Sequence, residues 1–179
     1  PPVGAAVRQT RNRRVGVFAP AGTIKSKAYD DAFAAASDLP LVTRACPRFV
    51  EFVEAGVTSG PELFPVAEEY LAPLREADID TLVLGCTHYP LMAAAIQYVV
   101  GESVTLVSSA AETAFDVYRT LVEHGLERTA AGPPAHHFEA TGPDRDAFRR
   151  LASRFLGPEV VRVEAFDTGA IQLPRQEER

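Results

Sequence analysis

No stretch of the sequence is apolar for long enough to cross a bilayer, and none reads as a signal sequence. It has no CxxC pair, no histidine cluster at metal-ligand spacing and no glycine-rich loop of the kind that cradles phosphate. No metal and no cofactor are therefore expected. Cysteine is scarce, with two residues in the chain, which points to a reducing, cytoplasmic setting. Basic residues are outnumbered, 18 Lys and Arg against 24 Asp and Glu, and the net charge of −6 speaks against a nucleic-acid partner. The local cluster of Arg8, Arg11, Arg13 and Arg14 reads as a solvated segment. Methionine occurs once, at Met92, and the first residue is Pro1, so a processed protein or a fragment is expected.

What is present is a globular composition. Apolar residues make up 46% of 179 positions, enough for a core, and the length allows one domain or one domain plus part of another. Short β-rich apolar runs predict strands over 14–19, 39–45, 81–86, 104–107, 136–141 and 160–166. Helical spacing predicts helices over 27–36, 47–56, 61–77, 90–100, 108–124 and 144–156, with a helix or linker over 1–10. Residues 20–23 read as a turn, Ser26 as the cap of the next helix, and Tyr29 and Phe33 as one face of it. Pro65 and Pro73 predict a kink or break in the 61–77 helix. Phe115, Val117, Tyr118, Leu121 and Val122 supply the apolar stripe of the 108–124 helix, and the polar end of the chain reads as disordered. Strands alternating with helices, without hairpin signals, argue for a parallel α/β fold.

The chemistry concentrates in Thr81-Leu82-Val83-Leu84-Gly85-Cys86-Thr87-His88-Tyr89-Pro90-Leu91-Met92. A buried strand ends at Gly85, and a thiol, a hydroxyl and an imidazole follow. Pro90 suits the first position of a helix, which continues with Leu91, Ala95, Ile96 and Val99 as its apolar side. Cys86 is thus expected at a strand-to-helix junction, where open α/β sheets bind ligands. The thiolate is the reactive form of cysteine, and a helix N-terminus or a protonated imidazole favours an anion beside it. A free buried cysteine is more often inert packing. Here, however, residues two apart in an extended turn can face one side, so Cys86 and His88 can share a cleft.

The run from Leu82 to Leu91 resembles the second cysteine motif of the glutamate racemases, in the Asp/Glu racemase family. Supporting matches are Gly22-Thr23-Ile24, Ala45-Cys46-Pro47 followed by Phe49-Val50 and Val53-Glu54, and Phe138-Glu139-Ala140-Thr141-Gly142. The resemblance runs from Val3 to Phe166. It implies a parallel-sheet three-layer lobe over 1–107 carrying the Cys-Thr-His motif, a segment over 108–166 that completes a second similar lobe, and a tail over 167–179.

The same resemblance implies cofactor-independent interconversion of L- and D-glutamate, supplying D-glutamate for peptidoglycan, in a homodimer. Inverting a stereocentre without a cofactor takes a proton from one face and returns one to the other, which calls for two acid–base groups. In this family they are two cysteines. Cys86 matches the second, while the first cysteine motif and the Asp-Ser-Gly segment have no counterpart among these residues. His88 is implied to orient or acidify the thiol, Glu54 to partner His88 or the substrate amine, and Thr87, with His88, to contact substrate. Cys46 falls outside the acid–base pair and reads as a small buried residue. Ser108, Arg48 and Ala55 depart from the usual family residues. Two other function classes fit the residues alone: a thiol hydrolase using Cys86 and His88, and a non-catalytic binding domain.

Overall fold

The computed structural model describes residues 2–168, so most of the expected tail lies outside the described residues. Two compact units are present, Pro1–Arg128 and Thr129–Arg179.

The first unit is built on a four-stranded parallel sheet of β1 (Val15–Ala19), β2 (Leu41–Ala45), β3 (Thr81–Leu84) and β4 (Thr105–Ser108), in the order β2-β1-β3-β4. β1 and β3 are central, and all nine of their residues are buried. This is why both read as continuous apolar runs: a parallel sheet is covered on both faces. Alternation along the strands divides the core. Val15, Val17, Val83 and Val107 face α1 (Pro2–Gln9) and α3 (Ala28–Ala36), meeting Ala5, Ala6 and Phe33. On the other face Phe18 meets Phe49 of α4 (Arg48–Glu54), while Leu74 of α5 (Leu63–Glu76) reaches the space over Gly16. α6 (Ala93–Val100) packs on α5. The result is the expected three-layer α/β lobe.

The strand order reverses between β1 and β3. The chain leaves β1 towards β2 and leaves β3 towards β4, which opens a crevice at the carboxyl ends of the two central strands. At the opposite end, Asp80 closes the fold. It accepts hydrogen bonds from Thr10 Oγ1 (2.7 Å), the backbone N–H groups of Arg11 (2.6 Å) and Asn12 (2.7 Å), and Thr81 Oγ1 (3.0 Å). Burial alone would raise this carboxyl, but these hydrogen bonds outweigh it and hold the group below its ordinary range.

Several local expectations need correction. Residues 21–25 form a short helix, α2, with Pro20 just before its first turn, where a missing N–H costs nothing. Lys27, at φ 56°, takes the N-cap position of α3 without a side-chain cap of its own, while Ser26, one residue earlier, accepts from Ala28 N–H at 3.4 Å and donates its hydroxyl to Thr23 O at 2.8 Å. α5 is not broken: Pro65 lies in its first turn, and the carbonyl that Pro73 leaves without a donor belongs to exposed Glu69. Tyr89–Met92 is a 3₁₀ turn, so the α-helix starts at Ala93 rather than at Pro90, and Leu91 is exposed. α7 (Ser109–Glu123) buries no residue, and Phe115, Val117, Tyr118, Leu121 and Val122 are exposed. Periodicity sets the face of a helix but does not supply its partner.

The second unit holds β5 (Glu139–Ala140), α8 (Arg145–Leu156) and β6 (Glu164–Ala165), with the two strands parallel. Both strands are shorter than the sequence predicts. Asp144 caps α8 by accepting from Ala147 N–H at 2.8 Å. No helix among the described residues is long and apolar enough to cross a membrane.

Candidate active site

Cys86 sits in the bend that follows β3, on the crevice at the strand-order reversal. The bend is held tightly. Gly85 N–H donates to Phe18 O at 2.9 Å, and a Cβ at Gly85 would come within 3.0 Å of that oxygen, 3.0 Å of Tyr29 Cε2 and 3.1 Å of Ala19 Cβ. Glycine is therefore required by the close approach of β1 and α3. Four residues on from Gly85, Tyr89 is fully buried. It stacks on Phe18 at 4.7 Å, meets Phe49 edge-on at 5.5 Å, and donates its hydroxyl to Cys46 O at 2.7 Å. Burial first, then the neighbouring thiols, push the Tyr89 phenol up, so it serves as a fixed donor. Gly85 and Tyr89 pin both ends of the Cys-Thr-His segment.

Between those pins, Cys86 Sγ lies 3.8 Å from His88 Nδ1, and Thr87 Oγ1 lies 3.4 Å from the same nitrogen. The other ring nitrogen, Nε2, is 2.7 Å from Glu54 Oε1. Glu54 is in the last turn of α4, and the helix end is fixed by two bonds, Gly56 N–H to Val53 O (2.8 Å) and Val57 N–H to Phe52 O (2.7 Å). Gly56, at φ 75°, takes the left-handed position this ending requires. A carboxylate accepts from Nε2–H, which leaves Nδ1 directed at the thiol as acceptor in neutral imidazole and as donor in imidazolium. The structure thus brings Cys86, Thr87, His88 and Glu54 into one constellation. The backbone N–H groups of Cys86, Thr87 and His88 have no acceptor among the described residues.

Because the 3₁₀ turn intervenes, no α-helix N-terminus stands directly behind Cys86, contrary to the sequence expectation. His88 and the open N–H groups provide the polar surroundings instead. Cys46 is different in kind. Its side chain is completely buried, burial pushes the thiol up to about 12 against the opposing charge of Arg44, and its backbone is committed to Ala19 and Tyr89. Among the described residues, no cluster of three or more His, Cys, Asp or Glu is placed to hold a metal ion. Sequence reasoning assigned Tyr29 to the apolar face of α3 and missed its position against Gly85, because only tertiary packing creates that contact.

Comparison with known proteins places these residues in context. The Asp/Glu/hydantoin racemase family profile matches residues 2–117. A protein of Leifsonia xyli subsp. xyli called glutamate racemase is 62% identical over 173 residues, covering 97% of this chain and 64% of its own length. The chain thus spans slightly less than two thirds of that relative. Among solved structures, a glutamate racemase of Bacillus anthracis superposes with a TM-score of 0.81 at 35% identity, over 93% of this chain and 62% of its own. That of Francisella tularensis subsp. tularensis, solved in complex with D-glutamate, gives 0.80 at 30% identity, over the same shares of 93% and 62%.

Proposed function

The chain belongs to the Asp/Glu/hydantoin racemase family, and from that premise we propose that it carries one of the two acid–base groups of a glutamate racemase. The observation that supports this most is Cys86 at the strand-order reversal, with His88 Nδ1 at 3.8 Å and Glu54 behind the imidazole at 2.7 Å. A carbon acid as weak as the α-position of an amino acid needs a base placed on the C–H bond and shielded from competing solvent. A thiol held by a fixed bend meets the first need.

In this reading Cys86 transfers the α-proton on one face of glutamate. His88 orients the thiol and exchanges its proton, and Glu54 holds the imidazole in the required tautomer. Thr87 and the open N–H groups of residues 86–88 receive a substrate carboxylate. The reaction needs no cofactor. The second acid–base group acts from the opposite face. Cys46 cannot supply it, because its thiol is sealed in the core and strongly disfavours ionisation. In this reading that group comes from outside these 179 residues. The complete enzyme is a cytoplasmic homodimer that supplies D-glutamate for peptidoglycan.

Circular dichroism of an L-glutamate solution, followed over time with a complete racemase that contains these residues, tests the reading. Decay of the signal to zero supports it, and a constant signal refutes it. The Cys86–His88–Glu54 chain also has the order of a nucleophile, base and orienting acid, which favours thiol hydrolysis as a second reading. A burst of leaving group from an activated ester, with no change in glutamate dichroism, would select that alternative.

A further inference from the structure

The peptide unit between Leu84 and Gly85 is the last one before Cys86, and it is held from both sides. Its N–H donates to Phe18 O in β1 at 2.9 Å, and its carbonyl accepts the Ser109 hydroxyl at 2.8 Å. Ser109 is the first residue of α7, so this second bond reaches the end of β3 from 25 positions away in sequence. Leu84 opposite Ser108 is the last pair of the β3–β4 register, and Ser109 extends that edge where the ladder ends. Ser108 does separate work: its side chain caps α7 by accepting from Ala111 N–H at 3.2 Å. The start of the helix therefore does not need the Ser109 hydroxyl, which turns back to the neighbouring strand.

That bond matters because a glycine follows the carbonyl. Gly85 has no side chain to limit its own φ and ψ, so hydrogen bonds on either side of it decide the direction in which the chain leaves β3. The Phe18 bond fixes one edge of the Leu84–Gly85 peptide, and the Ser109 bond fixes the opposite edge. Rotation of that peptide would carry Cys86 Sγ away from His88 Nδ1, which stands 3.8 Å from it. We propose that Ser109 is a positioning residue for Cys86: its hydroxyl sets the plane of the peptide from which the Cys-Thr-His bend departs, and so keeps the thiol within reach of His88. The proposal rests on the reading of Cys86 as the reacting thiol.

The test is the pH dependence of Cys86 alkylation by iodoacetamide in the 179-residue chain. Cys86→Ser supplies the blank, and buried Cys46 reports whether each variant is folded. Ser109→Ala removes the hydroxyl alone. It is expected to move the alkylation midpoint to higher pH, as the thiolate loses the imidazole, and to slow the reaction about three- to tenfold below it, the scale of one lost hydrogen bond. Ser109→Thr keeps the hydroxyl and should restore the wild-type profile. Ser108→Ala removes the helix cap but not the bond to Leu84, so it should lower the melting temperature without moving the midpoint. A midpoint that stays in place or falls in Ser109→Ala overturns the proposal, and so does a Ser109→Thr profile that follows the alanine variant. An equal shift in Ser108→Ala also overturns it, because any loosening of α7 would then reach the thiol. So does a Ser109→Ala chain in which Cys46 becomes reactive, because the hydroxyl would then support the fold as a whole. Alkylation reads the thiol whether or not glutamate is racemised, so failure here is distinguishable from failure of the racemase reading.

Discussion

His88 Nε2 stands 2.7 Å from Glu54 Oε1, joining the bend after β3 to the last turn of α4 across 34 positions of sequence. The His88 side chain is 29% exposed and that of Glu54 60%. The bond therefore works at a wet edge, where its contribution to stability is small and its contribution to orientation matters more. Glu54→Gln keeps the shape but removes the charge that selects Nε2–H. The complete enzyme should lose about tenfold in kcat, the low end of what a charge-assisted hydrogen bond supplies, with little change in melting temperature. Steady-state kinetics by circular dichroism and a thermal melt check both halves of that expectation. An unchanged kcat would remove Glu54 from the site.

Gly85→Ala tests how tightly the bend is held. The added methyl meets a backbone oxygen at 3.0 Å and Ala19 Cβ at 3.1 Å, neither of which can swing aside, besides the Tyr29 ring. A loss of about 1–3 kcal/mol of stability is expected, the usual scale of overpacking. Urea denaturation measures the loss. Cys86 alkylation should change with it, because the strain is relieved by moving the bend.

Asp80 tests the opposite end of the sheet. Its folded carboxyl titrates below the unfolded one, so its stabilisation is full above the unfolded value of about 3.9 and is lost as pH falls through the folded value. Asp80→Ala leaves the donors of Thr10, Arg11 and Asn12 without their acceptor. It should cost about 1–3 kcal/mol near neutral pH, and it should remove part of the acid-side decline of stability. Denaturation across that pH range checks the slope. Cys86 reactivity should not change, since Asp80 lies at the far end of β3.

The sequence reads the central layer well because local signals and tertiary structure agree there. Val15–Ala19 and Thr81–Leu84 are buried on both faces, so the apolar run is the strand. The proximity of Cys86 and His88 follows from two-residue spacing in a bend. The Glu54–His88 bond and the Tyr29–Gly85 contact do not, since each arises when separate helices pack on the sheet. α2 was hidden because Pro20 and Gly22 are turn residues in isolation. Pro73 misled for the opposite reason: its cost falls on one carbonyl at an exposed position, which a packed helix tolerates.

The central claim is that Cys86 serves one face of the substrate. Elimination from a glutamate analogue with a leaving group at the β-carbon isolates this, because it requires proton abstraction from one face and no redelivery to the other. The measurement is keto-acid release from the separate L- and D-analogues by the complete enzyme carrying Cys86→Ser. One of the two analogues should no longer react, while the other should still eliminate from the opposite face. Release from both enantiomers at wild-type rates would contradict the account, and equal loss of both would make Cys86 a structural support of the site.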